Sequence, residues 1–536
     1  MATSDIYDAV VVGSGAAGGW AAKELTERGL RTVLLEAGRR LDPAKDFPDP
    51  SGQSGSRVQL AARVRATLGG QAVQARCMSF SPLTQHLFVS DRKNPYSTGG
   101  GRFNWFRGRQ VGGRLHLWGR NALRISDLDL HAADADGFGE RWPISYSDLA
   151  PWYERVEAFL GVHGTAARIP NLPDGRYDRP HSITRAETSL LETLKKKWAD
   201  RPATTSRIVK HNPGRIPLPI LAAESTGRLE IRSDAAVSRI SIDPQSGGAR
   251  GVMYIDDARR EHEVRARVVV LCASTIESVR ILLNSACARH PGGVGNSSGT
   301  LGRYLTDHVM VFQAGIHEPI EGGVKEDAYD FGGQTGIYIP SFRNVGGQTT
   351  KDFLRGYSLL GSVGRISPGW FFIGTGEMLP RAENRVEIDS AKKDGWGIPA
   401  ARITCVHSEN ERAMVRDMKE AIAQLASDCG LEANMLGRES LLNKLVYQFG
   451  ARFVYTPDGA LVPGSAIHEA GGARMGADPR TSVLNGFNQC WDAKNVFVTD
   501  SASFTTSPFQ NPGLTIMALS ARASAYIADE LTRGNL

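Results

Sequence analysis

The chain has 536 residues, which is more than one hydrophobic core accommodates and predicts two or more domains. Its 63 basic and 57 acidic residues are mixed along the sequence and give a net charge of +6, as on a solvated surface. We therefore exclude a nucleic-acid-binding protein. No apolar run approaches the about 18 residues of a transmembrane helix, and the first strand begins close to Met1, so we expect no membrane segment and no signal peptide.

The six cysteines show neither a C-x-x-C pair nor the clustering of metal ligands. This spacing is typical of reduced thiols in a cytosolic protein, so we expect a cytoplasmic location, no disulfide framework and no metal site. The cysteines are Cys77, Cys272, Cys287, Cys405, Cys429 and Cys490.

Residues 7–39 have the pattern of a complete βαβ unit. The apolar run over residues 9–12 is short and β-branched, as in a parallel strand that is buried on both faces. A helix is predicted over about residues 16–28, with Gly29 as its C-terminal cap, and a second strand over residues 32–35.

The glycines between this strand and helix form a G-x-G-x-x-G pattern, which is typical of dinucleotide binding. Gly13 permits a tight turn, Gly15 lets a pyrophosphate approach the backbone, and Gly18 lets the helix pack closely. The free N–H groups of the helix start point at the phosphates. Glu36 ends the second strand and is placed to accept both hydroxyls of an adenosine ribose. This carboxylate disfavours NADP, whereas NAD and FAD both remain open from this unit alone.

Two stretches after the βαβ unit lack a regular period. Residues 41–57 are rich in Pro, Asp, Ser and Gly and predict a surface loop. Residues 91–124 combine glycines with aromatics and predict an ordered loop against the cofactor, where Gly112 and Gly113 would let the backbone approach a ring system. Three arginines of this loop either bind phosphate or are ordinary surface residues: Arg109, Arg114 and Arg120.

The next region is predicted to leave the first domain. Ser147 is expected to cap a helix that starts near Asp148 and ends at Gly161. Residues 164–228 are proline-rich and irregular apart from a helix over residues 186–198, which indicates an excursion into another domain.

Short strands begin at residue 229 and end in a buried run over residues 268–271, followed by a helix over residues 275–285. This run is expected to rejoin the first sheet and to place small residues beside the adenine end of the cofactor. Asp307 and His308 follow, and we interpret them as buried structural groups rather than catalysts.

Residues 312–460 carry no dinucleotide pattern and are interpreted as the substrate domain. Alternating segments favour an antiparallel sheet, and residues 410–429 predict an amphipathic helix that ends at Gly430. Three polar and aromatic residues of this block are assigned to the pocket without a pattern that supports the choice: Tyr338, Arg343 and Trp370.

The closing segment is predicted to carry the chemistry. Residues 495–499 form one more buried strand followed by Asp500, and a helix beginning at Asn511 or Pro512 has a free N-terminus that can hold negative charge. His468 lies among small residues with no periodic pattern that would bury it, so the residues alone leave open a structural or a catalytic histidine.

Together these segments resemble the glucose-methanol-choline (GMC) family of FAD-dependent oxidoreductases over nearly the whole chain. The motifs are VVGSGAAGGWAAKELTERGLRTVLLEAG, RGRQVGGRLHLWGR, WPISYSDLAPWYERVE, VVVLCASTIESVRILLNS, GTLGRYLTDH, GEMLPRAENRVEID, and HEAGGARMG with NPGLTIMALS. The resemblance implies an α/β protein with a discontinuous, Rossmann-like FAD-binding domain and an α+β substrate domain built on an antiparallel sheet. The expected boundaries are residues 1–163, 229–311 and 461–536 for the FAD-binding domain and residues 164–228 and 312–460 for the substrate domain.

The family pattern implies a catalytic pair, which falls on His468 and Asn511 in this sequence. His468 removes the hydroxyl proton, Asn511 orients the hydroxyl and stabilises the developing alkoxide, and the hydride passes to flavin N5. The implied FAD-binding residues are Gly13, Ser14, Gly15, Ala16, Ala17, Gly18, Glu36, Ala37, Arg109, Gly112, Gly113, Leu117, Trp118, Val237, Cys272, Ala273, Ser274, Asp500, Ser501, Asn511, Pro512 and Thr515.

The sequence departs from the pattern of fungal-type pyranose oxidases. Those enzymes tether FAD through a histidine directly before the tryptophan of this loop, but Leu117 stands there, after His116, so we expect non-covalent FAD. Gly119 follows Trp118 where those oxidases carry a threonine, which puts fast reaction with oxygen in doubt. The glycine usual after the late strand is also replaced, by the small residues 272–274.

Within the family the chain looks most like bacterial sugar-oxidising members: glucoside 3-dehydrogenases, gluconate 2-dehydrogenase flavoprotein subunits, and pyranose or glycoside oxidases. We expect oxidation at C3 or C2 of a pyranose sugar or glycoside, with oxygen, a quinone or a redox partner protein as acceptor. One alternative is a sterol or simple alcohol oxidase. Another is the flavoprotein subunit of a membrane-linked complex, exported on its partner's signal, whose haem would belong to the partner because the chain has no C-x-x-C-H.

Overall fold

The computed structural model describes residues 6–48, 56–316, 333–365, 369–432 and 453–536. The strands in chain order are β1 (Ile6–Val12), β2 (Thr32–Leu35), β3 (Ser97–Thr98), β4 (Val162–His163), β5 (Thr204–Thr205), β6 (Ile208–Val209), β7 (Leu229–Arg232), β8 (Ala236–Ile242), β9 (Ala249–Ile255), β10 (Glu261–Leu271), β11 (Val309–Gly315), β12 (Ile337–Ile339), β13 (Tyr357–Val363), β14 (Trp370–Gly376), β15 (Arg385–Lys393), β16 (Pro399–Thr404) and β17 (Val496–Val498). The α-helices are α1 (Ala16–Glu27), α2 (Pro43–Asp46), α3 (Ser56–Gly69), α4 (Asp127–Leu130), α5 (Ala132–Asp136), α6 (Tyr146–Leu160), α7 (Arg185–Lys197), α8 (Leu218–Ser225), α9 (Thr275–Asn284), α10 (Glu409–Asp428) and α11 (Gly513–Arg533).

The largest sheet carries the dinucleotide fold. Its parallel part has the order β7-β2-β1-β10-β17, and β9 and β8 extend it in antiparallel pairing along the first half of β10. Val10 pairs with Val269 and Val11 with Val270, and all four side chains are buried. The two faces of β1 belong to different apolar clusters, since Val11 packs with α1 and α11. The β-branched run is therefore buried on both faces, and β10 returns to the first sheet, as the pattern predicted.

A second, antiparallel sheet has the strand order β11-β14-β13-β12-β5. Helix α10 packs against it, and the edge strand β5 comes from the irregular stretch before residue 229. The alternating segments after residue 380 do not join this sheet, because β15 and β16 form a separate three-stranded sheet with β3. Residues 317–332, 366–368 and 433–452 of the predicted substrate domain lie outside the described residues.

The structure tests two local predictions, the caps of α6 and the loop over residues 41–57. Ser147 does not cap α6, because the helix begins at Tyr146 and Ser145 forms a reciprocal capping box with Asp148. Gly161 ends the helix in the left-handed conformation, as expected. The predicted loop over residues 41–57 contains α2 and the start of α3, and its residues 49–55 lie outside the described chain.

All six cysteines carry free thiols. Across the described ranges, each helix is either too short or too polar to cross a lipid bilayer.

Candidate active site

A cavity of about 980 Å³ is lined by residues of both large sheets. The parallel strands contribute the residues that follow their carboxyl ends: Gly13 after β1, Glu36 after β2, Cys272 after β10 and Asp500 after β17. Ligands of open α/β sheets bind at this edge, since the strands end there while the helix N-termini open toward it. The cavity is therefore where a dinucleotide is expected.

The glycine turn after β1 leaves room for a ligand. Gly13 has φ +94°, and a Cβ there would lie 2.5 Å from the carbonyl oxygen of Cys272. A Cβ on Gly18 would lie 1.8 Å from the carbonyl oxygen of Gly13, so α1 packs directly on the turn. At Gly15 the position of a Cβ has no atom within 4 Å. The turn thus needs glycine for packing at two positions and presents open backbone to the cavity at the third.

Glu36 is held in place at the end of β2, where the adenosine ribose is expected. Its carboxylate accepts hydrogen bonds from the backbone N–H of Ser14 at 3.1 Å, from Ser14 Oγ at 2.6 Å and from the Gly38 N–H at 3.0 Å. Burial raises the pKa of Glu36, while these hydrogen bonds lower it. The side chain is fixed at the end of β2 and lines the cavity, an arrangement that fits acceptance of two ribose hydroxyls.

Two of the three candidate arginines lie in the cavity wall. Arg109 donates to Glu277 at 3.0 Å, and its buried Nη1 has no hydrogen-bond partner among the described residues. Arg114 pairs with Glu469 at 2.8 Å. Arg120 does not line the cavity, because its guanidinium donates to the carbonyl oxygen of Val209. The unpaired guanidinium nitrogen of Arg109 fits an anionic ligand such as a phosphate. Arg120 is no longer a candidate for binding phosphate.

His468 and Asn511 meet across the cavity although 43 residues separate them in sequence. Nδ2 of Asn511 lies 3.5 Å from Nε2 of His468. Asn511 lies two residues before the start of α11. The Trp118 ring packs against that start, 3.2 Å from where a Cβ of Gly513 would lie. One hydroxyl oxygen can therefore meet both an imidazole nitrogen and an amide N–H.

The tautomer of His468 follows from its neighbour His308. Nε2–H of His308 donates to the carbonyl oxygen of Pro508 at 2.7 Å, since a carbonyl can only accept. Burial lowers the pKa of His308 to about 4, so this ring is neutral and its Nδ1 carries no proton. Nδ1 of His468 lies 2.8 Å from that nitrogen and must be the donor. We therefore assign the proton of neutral His468 to Nδ1, which leaves Nε2 unprotonated and facing the amide of Asn511.

The backbone around His468 is fixed by Asp307. Its carboxylate accepts hydrogen bonds from the backbone N–H groups of Gly464 at 2.7 Å, Ala466 at 3.3 Å and His468 at 3.0 Å. Burial, with a smaller effect of Glu469, raises the pKa of Asp307 to about 7. Asp307 and His308 are buried, as interpreted, but the interpretation missed that both contact His468. The available signal was an Asp-His pair directly before the buried strand β11.

Most of the predicted cofactor-binding residues line the cavity. Those not yet placed are Ala16, Ala17, Ala37, Gly113, Leu117, Trp118, Val237, Ala273, Ser274, Ser501 and Pro512. Gly18 and Gly112 lie behind the lining, and Gly112 donates its N–H to Ser14 Oγ at 2.9 Å. Thr515 is wrongly predicted, because it is fully buried and bonds the Tyr153 hydroxyl at 2.8 Å. His116 also turns away from the cavity, toward the Val111 carbonyl oxygen.

The assignment of Tyr338, Arg343 and Trp370 to the pocket is wrong. Tyr338 and Trp370 are buried in apolar clusters, and Arg343 pairs with Asp417 at 2.8 Å. Other side chains of the antiparallel sheet reach the cavity, and the sequence reasoning missed them: Met310, Phe312, Leu360, Phe371, Ile373 and Thr375. The alternation of apolar residues along β11 was a usable signal, but only the strand pairing shows which face meets the cavity.

Comparisons with known proteins indicate a family and a cofactor class. Two sequence models described as GMC oxidoreductase match residues 220–310 and 380–520, and a model of an FAD binding domain matches residues 8–45. The chain is 28% identical to 2-methyl-1,2-propanediol dehydrogenase of Mycolicibacterium austroafricanum, with 98% of this chain and 96% of that protein covered. It is 26% identical to the fructose dehydrogenase large subunit of Gluconobacter japonicus, with 98% of each covered. A C-glycoside 3-oxidase of Microbacterium trichothecenolyticum is 26% identical over 56% of this chain and 54% of its own.

Solved structures share the fold at low sequence identity. A formate oxidase of Aspergillus oryzae RIB40 superposes with a TM-score of 0.68 at 16% identity, covering 99% of this chain and 100% of its own. A pyridoxine 4-oxidase of Mesorbium loti superposes with a TM-score of 0.64 at 17% identity, covering 97% of this chain and 98% of its own. The overall fold of the chain is thus shared with these enzymes.

Proposed function

The chain belongs to the GMC oxidoreductases, FAD-dependent enzymes that act on CH–OH groups, and we propose that it oxidises a secondary ring hydroxyl, at C3 or C2, of a pyranose sugar or glycoside. The observation that carries the proposal is the unprotonated Nε2 of His468 beside the amide of Asn511. Similarity to a C-glycoside 3-oxidase and a fructose dehydrogenase subunit supports a sugar hydroxyl as the target.

Proton abstraction falls to His468. Its Nε2 accepts the hydroxyl proton, while Nδ1 keeps its hydrogen bond to the neutral ring of His308. Burial, together with the nearby His308 and Arg114, holds the pKa of His468 well below its usual range, so the ring is unprotonated at neutral pH. Asn511 Nδ2 donates to the same oxygen and stabilises the negative charge that develops there. Bound FAD supplies the two-electron acceptor for the hydride of the carbinol carbon.

Polar residues elsewhere in the cavity support a polyol substrate. Asn121 and Thr335 line the wall and lie within hydrogen-bond distance of each other, with Oγ1 of Thr335 3.4 Å from Oδ1 of Asn121. Gln334 and Ser465 line it as well. Such amide and hydroxyl groups are suited to the ring hydroxyls that do not react, and they position the reacting one against His468.

The proposal includes non-covalent FAD and reoxidation by oxygen, a quinone or a redox partner protein. Leu117 supports the first part, because it lines the cavity where a tethering histidine would stand. Full-length similarity to the fructose dehydrogenase large subunit favours a partner subunit as acceptor. Similarity to 2-methyl-1,2-propanediol dehydrogenase favours a second candidate substrate class, simple diols.

Anaerobic bleaching of the flavin absorbance by sugars, glycosides and plain alcohols tests the function. We expect a glycoside to bleach wild type and the His131→Ala control, whose histidine lies outside the cavity. His468→Ala should retain FAD and bleach on the order of 100-fold or more slowly, since it lacks the base. Bleaching by simple alcohols alone would contradict the sugar assignment, and unchanged bleaching in His468→Ala would contradict the base. Readmitting air or adding a quinone then identifies the acceptor.

A further inference from the structure

One wall of the cavity is apolar and has no part in the proton transfer. It is formed by β11, β13 and β14, and five of the six residues that these strands contribute to the lining have hydrocarbon or thioether side chains. They are Met310, Phe312, Leu360, Phe371 and Ile373, with Thr375 as the sixth.

The strand register arranges these side chains as a track. Met310 pairs with Thr375, Phe312 with Ile373, and Ala314 with Phe371, and directly paired residues of an antiparallel sheet share a face. The rings of Phe312 and Phe371 stack with their centroids 5.9 Å apart. At about 3.4 Å per residue, the four-residue step from Met310 to Ala314 spans roughly 14 Å.

The track starts at the catalytic centre. Met310 lies on β11, two residues after His308. It packs in one apolar cluster with Ala466, which lies two residues before His468. Phe371, which pairs with Ala314, is the residue of the track farthest from that end. A substrate whose hydroxyl meets His468 therefore reaches the phenylalanines only with a substituent away from the reacting carbon.

We infer that this track is a binding subsite for an apolar, preferably aromatic, substituent of the substrate. This inference rests on the proposed function, and it assigns the substrate class as a glycoside with an apolar aglycone rather than a free sugar. The polar side chains of Asn121, Gln334 and Thr335 receive the sugar ring, and the Phe312 and Phe371 rings pack on the aglycone. A free monosaccharide leaves the track in contact with water and gains no binding free energy from burying its apolar surface.

The test compares two pairs of compounds that differ by one phenyl group. They are methyl and phenyl β-D-glucoside, and 1,2-propanediol and 3-phenyl-1,2-propanediol. The apparent dissociation constant of each is taken from the concentration dependence of anaerobic flavin bleaching in the holoenzyme. We expect the phenyl compound of each pair to bind about 10-fold more tightly in wild type.

Variants locate the preference. Phe312→Ala and Phe371→Ala should each raise the dissociation constants of the phenyl compounds several-fold. The dissociation constants of the matched compounds without a phenyl group should change less than about twofold. Gln313→Ala is the control, because it lies on the same strand, is absent from the cavity lining and bonds Lys419. Gln313→Ala should bind the phenyl compound of each pair as much more tightly as wild type does.

The outcomes separate the two proposals. Equal dissociation constants within both pairs, or a phenyl preference that survives in both phenylalanine variants, would overturn the subsite. A preference for the phenyl diol with no bleaching by either glucoside would support the subsite and overturn the sugar assignment. Bleaching by none of the four compounds would overturn both.

Discussion

At the residue scale, the chemistry depends on which nitrogen of His468 carries the proton, and His308 decides this. Its own Nε2–H is committed to the carbonyl oxygen of Pro508, so its Nδ1 can only accept. His308 does not line the cavity and acts through its hydrogen bond to His468, so we regard it as a positioning residue. Because 160 residues separate it from His468, no local pattern could have predicted this contact.

Replacing His308 by Phe removes the acceptor for the Nδ1–H of His468. We expect kcat to fall roughly 10- to 100-fold with KM nearly unchanged, as for other groups that orient a catalytic side chain. His308→Gln, which can still offer an oxygen acceptor, should recover part of the loss. Stopped-flow reduction of the flavin measures the effect, and a change confined to KM would contradict the positioning role.

The pH dependence of activity gives a second test of His468 as the base. Burial holds the pKa of His468 well below 6.5, and the protonated ring is inactive, so activity is lost only as pH falls through that lowered pKa. Protonation of His468 should therefore cause no acidic limb of kcat/KM at or above pH 6.5, with FAD content checked at each pH. Asp307, whose pKa lies at about 7, protonates in this range, so the profile is also measured in Asp307→Asn. An acidic limb at or above pH 6.5 that persists in Asp307→Asn would argue against His468 as the base.

At the element scale, the turn between β1 and α1 separates a packing requirement from a binding requirement. Gly18 faces the Gly13 carbonyl oxygen, whereas Gly15 faces open cavity. Gly18→Ala should push α1 off the turn, lower the thermal midpoint and abolish FAD binding. Gly15→Ala should fold with a nearly unchanged midpoint of the apoprotein and lose FAD affinity, because its methyl group occupies ligand space and its φ of −71° suits alanine.

Calorimetry of the apoproteins and FAD titration distinguish the two glycine variants. An apoprotein of Gly18→Ala as stable as wild type would contradict the packing argument. Tight FAD binding by Gly15→Ala would place the pyrophosphate elsewhere.

The same scale shows what the sequence could predict. The βαβ unit is readable because its strand, turn, helix and acid are neighbours in sequence, and the structure reproduces β2 over the predicted residues 32–35. The cavity-facing side of the antiparallel sheet was not readable, since Trp370 looks as suitable as Phe312 until the register of β11 with β14 places it on the other face. Tyr338 pairs with Leu360 and shares its face, but it is buried in an apolar cluster that includes Leu172, which the sequence does not reveal. Ser147 was mistaken for a cap because Ser145 and Ser147 both lie at the start of the helix, and only Ser145 precedes it.

At the scale of the whole molecule, the cavity depends on segments far apart in sequence being held together. Thr184 Oγ1 donates to the Val363 carbonyl oxygen at 2.9 Å, and Arg365 forms a bidentate pair with Glu187, with both side chains at most 1% exposed. These contacts join α7 to the strand β13. They favour the predicted grouping of residues 164–228 with residues 312–460, which remains a prediction.

The Arg365–Glu187 pair gives that grouping an energetic test. Arg365→Met leaves a buried carboxylate without its partner, and we expect a loss of about 3–5 kcal/mol in the free energy of unfolding. Glu187→Gln keeps a capping side chain for α7 but removes the charge, so the double variant Glu187→Gln/Arg365→Met should be more stable than Arg365→Met alone. Denaturant titration of the holoenzymes measures both, with Arg480→Met on the exposed Asp478 pair as a control expected to show no measurable change. A loss of stability that simply adds between the two substitutions would show that the pair does not couple α7 to the sheet.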